Sequence, residues 1–146
     1  MIACDDNGNH AILVEHNISY PAGLAVDWIH GLLFWTDHVL ITINVMDLNT
    51  KQRKVLFNED IVSPRAIAVD PSKGLIFWSD QGRIERASMD GNDRMLISVD
   101  DYDYVVYPYS IRVYHSAVQP ELPNMCDQHF CGDGAICLPK GNSSTA

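Results

Sequence analysis

A chain of 146 residues that is 47% apolar can bury a sizeable core and is too apolar for general disorder. Nineteen Asp and Glu against ten Lys and Arg give a formal charge of −9, which makes nucleic acid and anionic membrane surfaces poor partners. No apolar run approaches the ~20 residues that cross a bilayer.

The N-terminus, Met1-Ile2-Ala3-Cys4-Asp5-Asp6, lacks the charged and apolar regions of a signal peptide. Neither secretion on its own signal nor membrane anchoring is expected; extracellular features elsewhere would then make the chain a piece of a longer protein. Residues 1–20 read as the back half of a repeat, with an Asn/Gly turn at 6–10 entering an apolar strand, Ile12-Leu13-Val14. The acidic start of that turn is no calcium loop. Counted from Asp5, Gly8 falls at the fourth position rather than the sixth, and the twelfth is His16 rather than Glu.

The first full repeat spans 21–63. Leu24-Ala25-Val26 and Leu32-Leu33-Phe34-Trp35 are short apolar runs, expected as strands covered on both faces. Ile41, Ile43 and Val45 alternate with Thr42, Asn44 and Met46, which predicts a half-buried outer strand. Lys54-Val55-Leu56-Phe57 is the predicted edge strand, protected by Lys51, Arg53 and Lys54. The second repeat spans 64–107 and follows the same order. Pro21 and Pro64, Asp27 and Asp70, Gly31 and Gly74, and Trp35 and Trp78 are each 43 residues apart. The outer hairpin of the second repeat is expected to be two residues shorter.

A constant period of this length, built from strands and turns, predicts propeller blades. A terminal strand at 108–118 opens a third repeat, so residues 1–120 form about two and a half blades of an all-β ring that closes with about 4–8. Residues 121–146 form a separate module in which Cys126, Cys131 and Cys137 crowd together, the mark of a disulfide-stapled unit from an oxidising compartment. Cys4 stands alone.

Asp27, Asp37, Asp70 and Asp80 recur at the blade period, which assigns them structural hydrogen bonds rather than a single catalytic constellation. Trp35, Thr36, Trp78 and Ser79 belong to the same recurrent architecture; Trp28 lies outside it. The six histidines show no metal-ligand spacing, and no nucleophile stands beside a base, so neither an enzyme, a metal nor a cofactor is expected. The carboxylates of Asp100-Asp101-Tyr102-Asp103 read as a solvated loop. Asn17-Ile18-Ser19 and Asn142-Ser143-Ser144 fit the N-glycosylation pattern.

Phe34-Trp35-Thr36-Asp37 and Phe77-Trp78-Ser79-Asp80 resemble the Tyr-Trp-Thr-Asp signature of low-density lipoprotein receptor class B repeats, with Phe in place of Tyr. The exit through Ile111-Arg112-Val113-Tyr114 towards Asn124-Met125-Cys126 is similar to the family's passage into an EGF-like module. The resemblance implies a six-bladed propeller, here partial, followed by an incomplete EGF-like module in which Cys126 pairs with Cys137 and Cys131 lacks its partner. It is closest to the lipoprotein, very-low-density lipoprotein and vitellogenin receptor branch. It further implies the extracellular part of a plasma-membrane endocytic receptor, binding lipoprotein or vitellogenin-like proteins or other domains of the parent receptor. A Wnt co-receptor or a nidogen-type matrix protein is the alternative. His30 matches a family position implicated in acid-dependent ligand release, whereas the second repeat carries Lys73 there; an ordinary exposed loop histidine is the competing reading.

Overall fold

The computed structural model describes residues 1–99 and 108–114. Ten strands are present: β1 (Ile2–Cys4), β2 (His10–Ile12), β3 (Pro21–Asp27), β4 (Leu32–Asp37), β5 (Thr42–Asp47), β6 (Arg53–Phe57), β7 (Pro64–Asp70), β8 (Leu75–Asp80), β9 (Arg83–Ser88) and β10 (Met95–Val99). All described regular structure is β, and every pairing is antiparallel. The hairpin β1–β2 precedes two four-stranded meanders, β3-β4-β5-β6 and β7-β8-β9-β10. The meanders stand side by side with their first strands, β3 and β7, in contact. This is the geometry of consecutive propeller blades.

Because successive side chains of a strand point to opposite faces, β4 feeds two cores. Phe34 packs with Ile43, Ile61, Ile67, Ile76, Trp78 and Ala87 between the blades. Leu33 and Trp35 face the other way and pack with Val14 and Met46. Val14 does not belong to the predicted strand: β2 is His10–Ile12, and the chain beyond it bends under Trp35, held where Leu13 N donates to Met1 O at 2.9 Å and the Met1 amino group donates to Val14 O at 2.6 Å.

Two burial expectations are corrected. β5 is an interior strand, with Ile43, Asn44 and Met46 all buried: Ile43 packs against the second blade, and the segment carrying Val14 packs on Met46, on the face that alternation assigned to solvent. β3 was expected to be covered on both faces, yet Leu24 is 56% and Val26 44% exposed. Its counterpart β7 lies between β3 and the segment 108–114, and Ile67 there is buried. The two-residue difference between repeats also sits elsewhere than the outer hairpin. β4 and β5 are joined by residues 38–41, whereas β8 and β9 are joined by Gln81 and Gly82 alone. Their φ values of 46° and 79° make the shorter connection a type I′ turn.

The blades approach closely at Gly23. A Cβ there would run into Arg65 O and stand 3.0 Å from Ile67 N, both backbone atoms that no rotamer change can move. Gly23→Ala is expected to cost about 1–3 kcal/mol by overpacking. Urea unfolding of the two proteins tests this, and an unchanged midpoint would show that β3 and β7 are not packed this tightly.

Candidate functional site

Each blade carries a buried Asp preceded by a hydroxyl residue, and each of these side chains holds backbone. Asp37 Oδ2 accepts from Ser19 N at 2.7 Å, and Oδ1 from Tyr20 N at 3.1 Å, Val39 N at 3.1 Å and Leu40 N at 2.9 Å. The carboxylate therefore ties the incoming connector to the turn that leaves β4. Burial alone pushes the Asp37 carboxyl up, but the donations from Leu40, Ser19, Tyr20 and Val39 together outweigh it and hold the group below the usual range. Asp80, 43 residues on, accepts from Val62 N at 3.1 Å and Ser63 N at 2.5 Å, with Arg83 Nη2 3.7 Å away.

Thr36 and Ser79 act across blades. Thr36 Oγ1 accepts from Gly23 N at 2.9 Å on its own β3 and donates to Arg65 O at 2.5 Å on β7. Ser79 Oγ repeats the pattern, accepting from Ala66 N at 3.0 Å and donating to Pro108 O at 2.8 Å. One hydroxyl per blade thus latches the first strand of its own sheet to the first segment of the next. Trp35 and Trp78 lie beside these latches, 1% and 0% exposed.

The β3–β4 turn carries the remaining candidates. Gly31, with φ 67°, closes it in the left-handed region that favours glycine. Buried Asp27 Oδ1 accepts from Ile29 N at 2.9 Å and His30 N at 3.0 Å, and Oδ2 lies 2.6 Å from His30 Nδ1. His30 is therefore no free loop histidine: its ring is 55% exposed yet fixed on a buried carboxylate. The matching Asp70 accepts from Ser72 Oγ at 2.7 Å. Trp28 and Ile29, 59% and 56% exposed, project at the same turn. Beside them Leu24, Val26 and Trp28 line a groove shared with Ile67, Ile111 and Val113.

The four aspartates are thus separated, each occupied by local donors, and no two converge on a shared reacting position. Among the described residues, no group of three His, Cys, Asp or Glu is disposed to hold a metal ion. Cys4 is exposed and free. Asn17 is exposed beside β6, with φ 49°. Cys126, Cys131, Cys137, Asn142 and the acidic run from Asp100 lie outside the described residues.

Sequence reasoning missed an arginine clamp. Arg94 Nη1 donates to Glu59 O at 2.8 Å and Nη2 to Asp60 O at 2.7 Å, while Nε reaches Glu85 Oε2 at 2.7 Å. Arg53 repeats the contact on His16 O. The available signal was the spacing of Arg53 and Arg94, 41 residues, the same offset that relates Val55-Leu56 to Leu96-Ile97.

Side-by-side four-stranded meanders with one Trp-Thr/Ser-Asp set per sheet define a β-propeller of the YWTD type. Residues 31–71 match the family model described as low-density lipoprotein receptor repeat class B. That match identifies a class B repeat within this chain. It is 36% identical over 58 residues to low-density lipoprotein receptor-related protein 8 of Homo sapiens, covering 40% of this chain and 6% of that protein. The Gallus gallus protein of the same name is 36% identical over 52 residues, or 36% of this chain and 6% of that one. These matches span a small part of either relative's length. Among solved structures, a chain of a nidogen/laminin complex superimposes with TM-score 0.65 at 31% identity, covering 72% of this chain and 40% of that one. A streptogramin B lyase shares the fold alone, with TM-score 0.51 at 17% identity over 62% of this chain and 30% of the other.

Proposed function

We propose that the chain is a non-enzymatic part of the extracellular portion of an endocytic receptor of the lipoprotein-receptor kind, serving as a rigid protein-binding platform. The observation that carries this reading is the exposed Trp28-Ile29 tip, continuous with exposed Leu24 and Val26 on a scaffold in which buried Asp37, Thr36 and Ser79 are engaged in holding backbone and blades together. Tryptophan in such a position is the residue type that most often dominates protein interfaces. The partners are lipoprotein or vitellogenin-like proteins or other domains of the same receptor. Residues 121–146 serve as an EGF-like spacer closed by Cys126–Cys137, and the sugar acceptors are Asn142 there and Asn17 in the propeller part.

Acid release fits the same turn. His30 is half-exposed beside Trp28 and bonded to buried Asp27, so a proton gained by the imidazole alters charge next to the binding tip. The test is uptake of labelled lipoprotein by cells displaying the intact receptor, with release compared at about pH 7 and about pH 5.5. Trp28→Ala is expected to weaken binding at least about thirtyfold, the measure of a hot spot. His30→Ala is expected to retain ligand at the lower pH. Unchanged uptake by Trp28→Ala and identical release by His30→Ala would refute both parts.

A matrix role is the second reading, favoured by the 72% coverage of this chain in its match to the nidogen/laminin complex. Capture of a laminin module with no lipoprotein uptake would decide for it.

A further inference from the structure

The outer part of each blade contains the same groove, and the two copies differ in charge. In the second blade it is lined by Asp60, Arg83, Glu85, Arg94, Met95 and Leu96. In the first it is lined by Asn17, Trp35, Asn44, Arg53, Lys54 and Val55, around a cavity of about 230 Å3. Five positions correspond. Asn17 precedes Asp60 by 43 residues, and Asn44, Arg53, Lys54 and Val55 precede Glu85, Arg94, Met95 and Leu96 by 41, the shorter β8–β9 turn accounting for the difference.

In the second blade the arginine is neutralised. Arg94 makes a two-pronged contact with Glu85, at 2.7 Å from Nε and 3.2 Å from Nη2, and its guanidinium lies 5.3 Å from the Phe57 ring and 5.5 Å from the Trp78 ring. The Glu85 carboxylate raises the Arg94 guanidinium further above its ordinary value, despite burial. Phe57 stacks on Trp78 at 5.1 Å and fills the space beneath.

The first blade keeps the arginine and loses its counter-charges. Arg53 holds the His16 carbonyl, 43 residues before Glu59, but both carboxylates have become carboxamides, Asn17 and Asn44, and Met95 is replaced by Lys54. Among the described residues Arg53 and Lys54 form no ion pair. Lys54 acts only at longer range, helping local amide donors to lower Asp90. Phe57 is replaced by the smaller Val14, and the Trp35 indole N–H, in a side chain 1% exposed, has no acceptor. The Trp78 N–H also lacks one, and the second-blade groove is no smaller, at about 310 Å3, so the charge swap alone distinguishes the blades.

We infer that the groove of the first blade is a carboxylate-binding site. The Arg53 guanidinium is its anchor, because a planar fork matches a carboxylate with two donors. Lys54 adds a second charge, and the Asn44 amide, one of whose N–H groups is given to Thr42 Oγ1 at 2.9 Å, adds a neutral donor. An incoming carboxylate takes the place that Glu85 occupies in the second blade. The carboxylate is supplied either by an acidic side chain of a docking peptide or by a free organic acid, and the experiment separates the two.

The full chain, 15N-labelled and made in a bacterial host so that Asn17 carries no sugar, is titrated with succinate and with a hexaglutamate peptide at constant ionic strength. The indole N–H resonance of Trp35 is expected to shift saturably, while that of Trp78 stays still. Arg53→Gln is expected to weaken the effect at least tenfold. Asn44→Glu, which supplies the internal carboxylate of the second blade, is expected to abolish binding without lowering the melting temperature. Tighter binding of the peptide than of succinate assigns the carboxylate to a partner's side chain; equal affinities assign it to the free ion. No saturable shift at Trp35, an equal response to chloride, or wild-type binding by Asn44→Glu would overturn the proposal.

Discussion

Trp78→Ala is expected to abolish the cooperative melting of the two blades. Trp78 is fully buried at the centre of the inter-blade core, where Phe34 and Ile43 of the first blade meet Ile67, Ile76 and Ala87 of the second. Truncating a buried Trp costs about 3–5 kcal/mol, against about 5–15 kcal/mol for the whole stability of an ordinary domain. The loss is compounded because Phe57 and Arg94 both lean on the same ring. Trp35 offers the internal comparison. It is equally buried, but its cluster is smaller, comprising Val14, Leu33 and Met46 with partly buried neighbours such as Ile18, and it lies on the outer face of the first blade. Trp35→Ala should therefore cost less and leave the contact between blades in place. Circular dichroism melts of the three proteins measure this order. Equal losses would mean that the inter-blade core is not what joins the sheets, and a two-step melt of Trp78→Ala would mean that each blade folds by itself.

The repeat was legible in the sequence because a propeller copies its blade with little change in length. The 43-residue spacing of Trp35 and Trp78 is visible without any structure, and so is the type of every element in the two full repeats. Coverage was not legible. Alternation along Ile41 to Met46 describes a strand with one wet face, and only packing on both sides, by the second blade on Ile43 and by the segment around Val14 on Met46, buries the two faces together. The role of Thr36 was hidden for a related reason. Its acceptor, Arg65 O, is 29 residues away on another sheet, and no local pattern announces that pairing. The bond between His30 and Asp27 is different. The residues are three apart on one turn, so an Asp-x-x-His reading could have found it. The charge inversion between the grooves needed both copies aligned with the correct 41-residue offset, which depends on knowing which turn is shorter.

Asp37→Ala should rank with Trp78→Ala in its damage, for an electrostatic reason. Removing the carboxylate leaves Ser19 N, Tyr20 N, Val39 N and Leu40 N without their acceptor around a site where Asp37 is 0% exposed. A buried donor left unsatisfied costs about 1–3 kcal/mol; water recovers part of that for the partly exposed connector, so about 3–5 kcal/mol is expected in total. Asp37→Asn should recover only part of this loss, since it turns an NH2 group towards N–H donors. The pH dependence follows from the direction of the shift. The folded-state carboxyl is held below its ordinary value, so its contribution is fully present above the unfolded value of about 3.9 and is lost as pH falls through the lower folded value. Melting temperature plotted from about pH 6 down to about pH 2 should therefore hold level and then drop, with a shallower drop in Asp37→Asn. The same sign keeps Asp37 ionised and the first blade clamped at about pH 5.5, so the acid release proposed for the β3–β4 turn would proceed on an intact scaffold. A wild-type melting temperature that already falls steeply between about pH 6 and about pH 5, and does so equally in Asp37→Asn, would contradict both the clamp and that conclusion.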